Sequence, residues 1–290
     1  MQIIHALSEV SGRYKALFVD LWGCVHDGVT VYPGANEALT AYRAGGGRVI
    51  LVTNSPRPRA GVETQLDGFG VSRDAWDDIA TSGDSARVAM FTGAVGSKVW
   101  HLGPDFDAGF FEVPKLLDNP IRIERVPLDQ AEGIVCTGPF DPMADPAVLR
   151  PEFLAAKTRG LKLLCANPDI VVDRGGVREW CAGALAALYT EMGGESLYFG
   201  KPHPPIYDLA RRRLARIADV HDSAILAIGD GPATDAAGAM GEDLDLLFIS
   251  GGLGAEETGT PRLGDPDPEK LARHLAETGV VPSYVIGSLR

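Results

Sequence analysis

Acidic and hydroxyl side chains stand at the ends of several short apolar runs in this sequence, and their types suit phosphate chemistry. Asp20 ends the run in "ALFVDLW", Thr53 and Asn54 end "RVILVTN", and Asp230 ends "AILAIGD", with Asp235 just beyond in "GDGPATD". Neighbouring carboxylates repel one another unless a cation lies between them, and an all-oxygen ligand set favours Mg²⁺. These acids therefore predict a magnesium site.

A lysine and a hydroxyl complete the set. Lys201 follows the short apolar segment "SLYFG" and precedes the helix-length segment "PPIYDLARRRLARIA". An ammonium group, a threonine hydroxyl and backbone N–H groups can together hold phosphate oxygens, and a carboxylate beside a bound phosphoryl group can act as a nucleophile. Taken singly, such residues are more often helix caps, parts of turns or solvated surface residues. Their joint occurrence at strand ends is what indicates a site.

The elements that must position these residues alternate between strand-length and helix-length segments, which is typical of a mainly parallel α/β sheet. Ligands bind such sheets at the carboxyl ends of the strands. The predicted strands of a first domain span 16–22, 48–54, 196–200, 224–230, 245–250 and 283–288, and its predicted helices include 34–46 and 204–218.

A different texture, richer in Pro and Asp, occupies roughly residues 81–184 and has its own predicted strands at 98–103, 133–138 and 161–167. We therefore predict an inserted domain at 81–184, with 1–80 and 185–290 forming the domain that receives it.

Composition excludes several classes of protein. The formal net charge of −12 argues against nucleic acid as a partner, because phosphate backbones need a basic face. No apolar stretch approaches the roughly 20 residues of a membrane span, and the N-terminus does not resemble a signal peptide. The four cysteines form no C-x-x-C pair, and we expect them to be buried thiols in a reducing cytoplasm. Neither a P-loop nor a dinucleotide-binding glycine motif occurs at a strand–helix junction.

The motifs resemble those of the haloacid dehalogenase-like (HAD) superfamily, and more narrowly its class IIA branch of NagD- and chronophin-like phosphatases. The matching segments are "FVDLWG", "LVTNS", "FGKPHPPIY" and "IGDGPATDAAGA", and "CANPDIVV" within the insert is similar to a segment of such cap domains. The resemblance implies a Rossmann-like parallel-sheet core with an inserted α/β cap domain of the C2 type.

The resemblance also implies roles for individual residues. Asp20 would be the nucleophile, and Asp20, Asp230 and the backbone carbonyl of Trp22 would bind Mg²⁺. Lys201 would neutralise the charge of the nucleophile and the phosphate. The remaining implied roles are phosphate binding by Thr53 and Asn54, support of the metal site by Asp235, and leaving-group contacts from the cap by Asn167 and Asp169.

Trp22 departs from the family pattern D-x-D-G, in which a second aspartate acts as general acid and then as base. Indole can do neither, and losing such help typically costs about 10²- to 10⁴-fold in rate. One explanation is that His26 or Asp27 takes over proton transfer, although both could simply form a turn. Another is a leaving group that needs no proton, and a third is ligand binding with little turnover. A dehalogenase-like reaction is disfavoured because both metal-binding acids are retained.

The sequence thus predicts a cytoplasmic Mg²⁺-dependent phosphatase that acts on a small phosphorylated metabolite through an aspartyl-phosphate. The alternative is a phosphate-ligand binding or sensing protein with little turnover. Because caps of this kind often accompany dimers, the resemblance also implies a homodimer, although no sequence feature marks an interface.

Overall fold

Strands and helices alternate along most of the chain, as the sequence predicts. The computed structural model describes residues 1–114, 117, 119–174, 177–261 and 264–290. The strands are β1 (Gln2–Ile3), β2 (Ala16–Val19), β3 (Arg48–Thr53), β4 (Asp78–Thr81), β5 (Lys98–Leu102), β6 (Glu124–Arg125), β7 (Gly133–Cys136), β8 (Lys162–Cys165), β9 (Val171–Arg174), β10 (Val177–Trp180), β11 (Glu195–Tyr198), β12 (Ile225–Gly229), β13 (Asp245–Ile249) and β14 (Tyr284–Ile286). The α-helices are α1 (Pro33–Ala44), α2 (Arg59–Phe69), α3 (Ser82–Phe91), α4 (Arg150–Thr158), α5 (Ala182–Glu191), α6 (Pro204–Ala215), α7 (Ala237–Gly241) and α8 (Pro268–Thr278).

The chain divides into two compact units. The first unit comprises Met1–Thr53, Glu63–Ala80 and Tyr207–Arg290, and the second comprises Asn54–Val62 and Thr81–Ile206. The insert that the sequence predicts, 81–184, lies within the second unit, which continues beyond it to Ile206.

A seven-stranded sheet in the order β1-β14-β13-β12-β2-β3-β4 organises the first unit. β2 lies in its interior and pairs in parallel with both β12 and β3. All four residues of β2 are buried, and so are all five of β12. A parallel strand covered on both faces has this continuous apolar sequence. The two strands that precede Asp20 and Asp230 are therefore adjacent, and they end at the same edge of the sheet.

A five-stranded sheet in the order β11-β8-β7-β5-β6 organises the second unit, and every neighbouring pair in it is parallel. β11 differs from the sequence prediction, which assigns this segment to the first domain. It pairs with β8 in the register Leu197 to Leu164, so its apolar side chains face the core of the second unit. Strand length and composition do not specify a pairing partner, which is why the sequence pattern could not assign it.

Capping signals in the sequence mark both ends of α8. Asp267 precedes the helix and its carboxylate accepts hydrogen bonds from the backbone N–H groups of Glu269 (3.0 Å) and Lys270 (2.9 Å). Pro268 occupies the first turn, and Gly279 ends the helix in the left-handed conformation at φ 69°. This combination of Asp, Pro and Gly is typical of helix boundaries.

Among the described residues, no helix combines the length and the apolar character needed to cross a bilayer. None of the four cysteines forms a disulfide, and all four are buried.

Candidate active site

Asp20 and Asp230 meet at the carboxyl edge of the first unit's sheet. Asp20 follows β2 and donates its backbone N–H to the carbonyl of Ile228 in β12 (2.9 Å), so the parallel ladder extends to the residue itself. Oxygen atoms of the Asp20 and Asp230 carboxylates lie within 4.8 Å of each other, and both side chains are buried. These two acids therefore lie close together, and their binding of a cation stays a prediction.

Backbone groups hold the Asp230 carboxylate in place. Its Oδ2 accepts a hydrogen bond from the backbone N–H of Leu253 (2.7 Å). Gly23 and Gly252 approach the same oxygen so closely that a Cβ at either position would overlap it. Gly23 also has φ 77°, a conformation that favours glycine. These contacts leave the carboxylate little freedom to turn away from Asp20.

Cys24 is the third member of this acidic cluster. Its Sγ lies within 4.8 Å of an oxygen of each carboxylate, and only 1% of the residue is exposed. After Asp20 the chain forms a tight turn in which Val25 and His26 both donate backbone hydrogen bonds to the carbonyl of Leu21. This turn brings residue 24 back towards residue 20. In the part of the chain that the structure describes, Asp20, Cys24 and Asp230 form the group of potential metal ligands that come this close.

Asp235 has a different position, in the π-helical turn Pro232–Ala236 that follows β12. Its Oδ2 accepts hydrogen bonds from the backbone N–H of Gly231 (3.1 Å) and from the hydroxyl of Thr234 (3.3 Å). Gly229 leaves just enough room for this carboxylate, because a Cβ there would overlap it. Asp235 therefore shapes the loop that presents Asp230, and its part in the metal site stays a prediction.

The acidic cluster fits a divalent cation. Two buried carboxylates within 4.8 Å repel each other by about 3 kcal/mol or more at an effective dielectric constant of 20. A cation between them would remove that repulsion, and carboxylate oxygens are the ligands that Mg²⁺ prefers. Asp20 and Asp230 would hold such an ion, and whether the carbonyl of Trp22 contributes stays a prediction.

Trp22 packs into the turn after β2. Its six-membered ring lies directly against Gly28, where a Cβ would overlap it, and Gly28 has φ 84°. The Trp22 ring also makes an edge-on contact with His26, at 5.4 Å between ring centroids. The indole is therefore part of the packing of this turn.

His26 is buried between aromatic rings. Its ring contacts Phe69 edge-on at 4.9 Å, and its Nδ1 accepts a hydrogen bond from the backbone N–H of Gly28 (3.0 Å). Burial lowers the pKa of His26 to about 4, and the charge of Asp27 only partly opposes this shift. The imidazole is therefore neutral at pH 7, with its proton on Nε2, and cannot serve as a general acid there.

Asp27 closes the same turn. Its Oδ1 accepts hydrogen bonds from the backbone N–H groups of Val29 (3.0 Å) and Thr30 (2.8 Å). The hydrogen bonds from Thr30 and Val29 lower the pKa of Asp27. A carboxylate in this Asx-turn arrangement stabilises the loop. The environments of His26 and Asp27 favour the turn-forming alternative over proton transfer.

Asn54, Lys201 and Asp169 meet in the second unit. The Asn54 side chain accepts a hydrogen bond from the backbone N–H of Lys201 (2.7 Å) and donates to its carbonyl (3.1 Å). The same amide donates to Oδ1 of Asp169 (2.8 Å). Both amide hydrogens and the amide oxygen of Asn54 are thus engaged, which leaves no amide hydrogen for a phosphate oxygen without breaking one of these bonds.

Asn167 and Asp169 form a turn in the second unit. Oδ1 of Asn167 accepts a hydrogen bond from the backbone N–H of Asp169 (3.0 Å), and the carbonyl of Asp169 accepts one from Gly183 at the start of α5. The predicted leaving-group contacts of these two residues stay a prediction. Thr53, the buried last residue of β3, lies in the first unit, and its phosphate-binding role stays a prediction as well.

Sequence reasoning found the acids of the cluster but missed Cys24, which it treated only as a buried thiol. The available signal was its spacing of four residues from Asp20 across Gly23, because a glycine-containing turn folds such a residue back onto the strand end. The sequence also placed Asn54 and Asp169 in a site, although it did not show that they bind each other.

Comparison with known proteins shows the family. A model described as haloacid dehalogenase-like hydrolase matches residues 17–112, and one described as HAD-hydrolase-like matches residues 198–278. A haloacid dehalogenase-like hydrolase from Brucella suis 1330 is 39% identical, with a TM-score of 0.84, and the match covers 99% of this chain and 100% of that one.

More distant structures share the fold. A possible sugar phosphatase of the HAD superfamily from Cytophaga hutchinsonii is 20% identical with a TM-score of 0.74, covering 99% of this chain and 98% of the other. A glycerol phosphate phosphatase from Mycobacterium tuberculosis, in complex with magnesium, is 23% identical with a TM-score of 0.66, covering 89% of this chain and 75% of the other. No curated protein matches the chain. The similarity to the Brucella protein over its whole length, together with the two family models, establishes that this chain belongs to the haloacid dehalogenase-like hydrolases.

Proposed function

We propose that this hydrolase is a Mg²⁺-dependent phosphatase that acts on a small phosphorylated metabolite, with Asp20 as the nucleophile. The observation that supports it most directly is the convergence of the buried Asp20 and Asp230 carboxylates within 4.8 Å. Family membership makes hydrolysis the expected reaction class, and the distant structural relatives are named as phosphatases.

Asp20 attacks phosphorus in line with the leaving oxygen, a P–O bond forms to its carboxylate, and the bond to the leaving group breaks. Water then attacks the aspartyl-phosphate, which releases inorganic phosphate and regenerates the carboxylate. A bound Mg²⁺ would supply charge neutralisation at the transferring group. Asp230 holds its carboxylate towards Asp20 throughout, because Leu253 and two close glycines fix it. The charge-neutralising role of Lys201 stays a prediction from the resemblance.

Neither Trp22 nor His26 can donate a proton to the leaving group in this proposed reaction. Trp22 cannot supply a proton, and His26 is buried and neutral. We therefore infer a substrate whose leaving group departs without protonation, or with a proton from solvent. The same observation favours a second candidate, a protein that binds a phosphorylated ligand with little turnover.

Asn54 is assigned a positioning role in this proposal. Its amide joins the backbone of Lys201 to the carboxylate of Asp169, so it orders the loop that carries the lysine. A phosphate-binding role, which the sequence predicts, would require one of these bonds to break.

A panel of phosphate esters tests the proposal. The full-length protein is incubated with Mg²⁺ and sugar phosphates, nucleotides, glycerol phosphate and p-nitrophenyl phosphate, and phosphate release is measured for the wild type and Asp20→Asn. Release by the wild type alone supports the phosphatase. Binding of a member by both proteins, with release by neither, supports the ligand-binding alternative. A wild type that neither binds nor hydrolyses any member contradicts both.

A further inference from the structure

Cys24 gives the acidic cluster a sulfur atom that an ordinary magnesium site does not use. Mg²⁺ is a hard cation that takes oxygen ligands and does not bind thiolates. Carboxylates and a thiolate together are instead a ligand set for softer divalent ions such as Zn²⁺, Co²⁺ and Cd²⁺. The chemistry of the cluster is therefore mixed, with two oxygen donors and one sulfur donor.

The separations are compatible with one ion. In tetrahedral zinc sites carboxylate oxygens lie about 2.1 Å and thiolate sulfur about 2.3 Å from the ion, so two ligand atoms of one ion are about 3.5 Å apart. The ligand atoms of Asp20, Cys24 and Asp230 all lie within 4.8 Å of one another. Each pair of ligand atoms therefore has to approach by about 1.3 Å or less to reach this spacing, which small side-chain rotations can supply.

The surroundings favour sulfur coordination as well. Cys24 is 1% exposed, and Asp20 and Asp230 are 8% and 6% exposed. Burial removes competing water from the ligand atoms. The Asp230 carboxylate is already oriented by Leu253 and by the glycines that contact it, so little conformational freedom is lost when an ion binds.

We propose that Cys24 completes an oxygen–oxygen–sulfur site with Asp20 and Asp230, which binds a zinc-class ion in place of Mg²⁺. On binding, the S–H bond of Cys24 breaks, the proton passes to solvent, and a sulfur–metal bond forms with no change of oxidation state. Because that ion would occupy the position proposed for Mg²⁺, it would inhibit the phosphatase. This inference rests on the proposed metal site, but it does not require that the protein hydrolyse phosphate esters.

Cobalt absorption tests the inference directly. The metal-free, reduced full-length protein is titrated with Co²⁺ while a thiolate-to-cobalt charge-transfer band is recorded in the near ultraviolet. We expect the band in the wild type and in Cys181→Ser, a control that removes another buried thiol at the N-terminus of α5, where serine is a favourable cap. We expect Cys24→Ser to lack the band and to bind Co²⁺ at least about tenfold more weakly, the lower end of the loss typical for altered metal sites.

A second variant tests whether the cobalt ion lies beside Asp230, and it gives a result even if Cys24→Ser does not fold. Asp230→Asn relieves the repulsion between the two acids, so we expect it to fold and to weaken the same band. A band that persists in Cys24→Ser, or is absent from the wild type, overturns the inference. A band that is unchanged in Asp230→Asn also overturns it, because the thiolate would then bind cobalt elsewhere.

Magnesium-dependent phosphate release, measured on the same preparations, separates this inference from the proposed function. Phosphate release without a cobalt band leaves the phosphatase standing and removes the sulfur site. A cobalt band without release on any ester supports the sulfur site and contradicts the phosphatase. We also expect Cys24→Ser to lose sensitivity to Zn²⁺ inhibition by at least about tenfold.

Discussion

The carboxylates of Asp20 and Asp230 lie within 4.8 Å of each other because their strands, β2 and β12, are parallel neighbours in one sheet. The pairing of Val19 with Ile228 sets the register, and each strand delivers its acid at the same edge. The sheet thus holds two like charges together at a cost that a cation can offset.

Asp20→Asn removes one of these charges. We expect the free energy of unfolding without Mg²⁺ to rise by roughly 1–3 kcal/mol, because the repulsion of about 3 kcal/mol disappears. We also expect Mg²⁺ to stabilise the wild type and not the variant. Urea unfolding with and without Mg²⁺ measures both effects. Asp219→Asn, which neutralises an exposed carboxylate, is the control and should retain the response to Mg²⁺. An Asp20→Asn protein that Mg²⁺ stabilises as much as the wild type would remove Asp20 from the metal site.

Gly23→Ala tests the close approach of the turn to Asp230. The new Cβ would overlap the Asp230 carboxylate at a position where φ is 77°, so we expect a large loss of Mg²⁺-dependent stabilisation and a loss of roughly 1–3 kcal/mol in stability. Gly68→Ala in α2 is the matched control, because nothing lies near its Cβ and alanine favours a helix by about 1 kcal/mol. Equal behaviour of the two variants would show that the Asp230 carboxylate is not confined by Gly23.

Trp22→Asp restores the acid that the family pattern has at this position. We expect hydrolysis of an alkyl phosphate such as glycerol phosphate to rise by about 10²-fold, the lower end of general acid–base contributions. p-Nitrophenyl phosphate, whose leaving group needs no proton, serves as the internal control and should change little. The variant should also be less stable, since the indole no longer packs on Gly28. An equal change for both esters would mean that the aspartate does not donate a proton.

Asn54→Ala separates a positioning role from phosphate binding. The substitution leaves the backbone N–H of Lys201 and the carboxylate of Asp169 without their amide partner, so we expect unfolding to become easier by about 1–3 kcal/mol. Asn54→Asp keeps an acceptor for the Lys201 N–H but brings a second carboxylate against Asp169. We therefore expect Asn54→Asp to be no more stable than Asn54→Ala. Unchanged stability together with weaker binding of inorganic phosphate would instead favour a direct phosphate contact.

His26 should make stability depend on pH. Its folded-state pKa of about 4 lies below the usual 6.5 because of burial, so the unfolded chain binds the proton first as pH falls. The resulting stabilisation is complete above pH 6.5 and is lost as pH falls to about 4, with a total of about 3 kcal/mol. His26→Gln should flatten the dependence over this interval by that amount, measured by urea unfolding at pH 7, 5.5 and 4.5. Identical profiles for the two proteins would contradict the buried, neutral histidine.

Much of the fold was predictable, because apolar strand-length runs that alternate with helix-length segments are typical of parallel α/β units. Apolar runs precede Asp20, Thr53 and Asp230, and each of these runs lies within an observed strand. The pairing of β11 with β8 was not predictable, because a four-residue strand carries no signal for its partner.

The sequence identifies candidate site residues by their types and positions, but it does not predict which of them contact one another. Strand ends locate Asp20 and Asp230, whereas the return of Cys24 depends on a turn whose hydrogen bonds converge on one carbonyl. The bonds from Asn54 to Lys201 and Asp169 join distant segments, and only the folded chain brings these together.

The interleaved order of the two units has a consequence for biosynthesis. Proteins emerge from the ribosome N-terminus first, and their domains tend to fold as units. The second unit is complete once Ile206 has emerged, whereas β2 lacks its neighbour β12 until the strand Ile225–Gly229 follows. Asp20 therefore remains without its acidic counterpart until β12 and Asp230 have been synthesised.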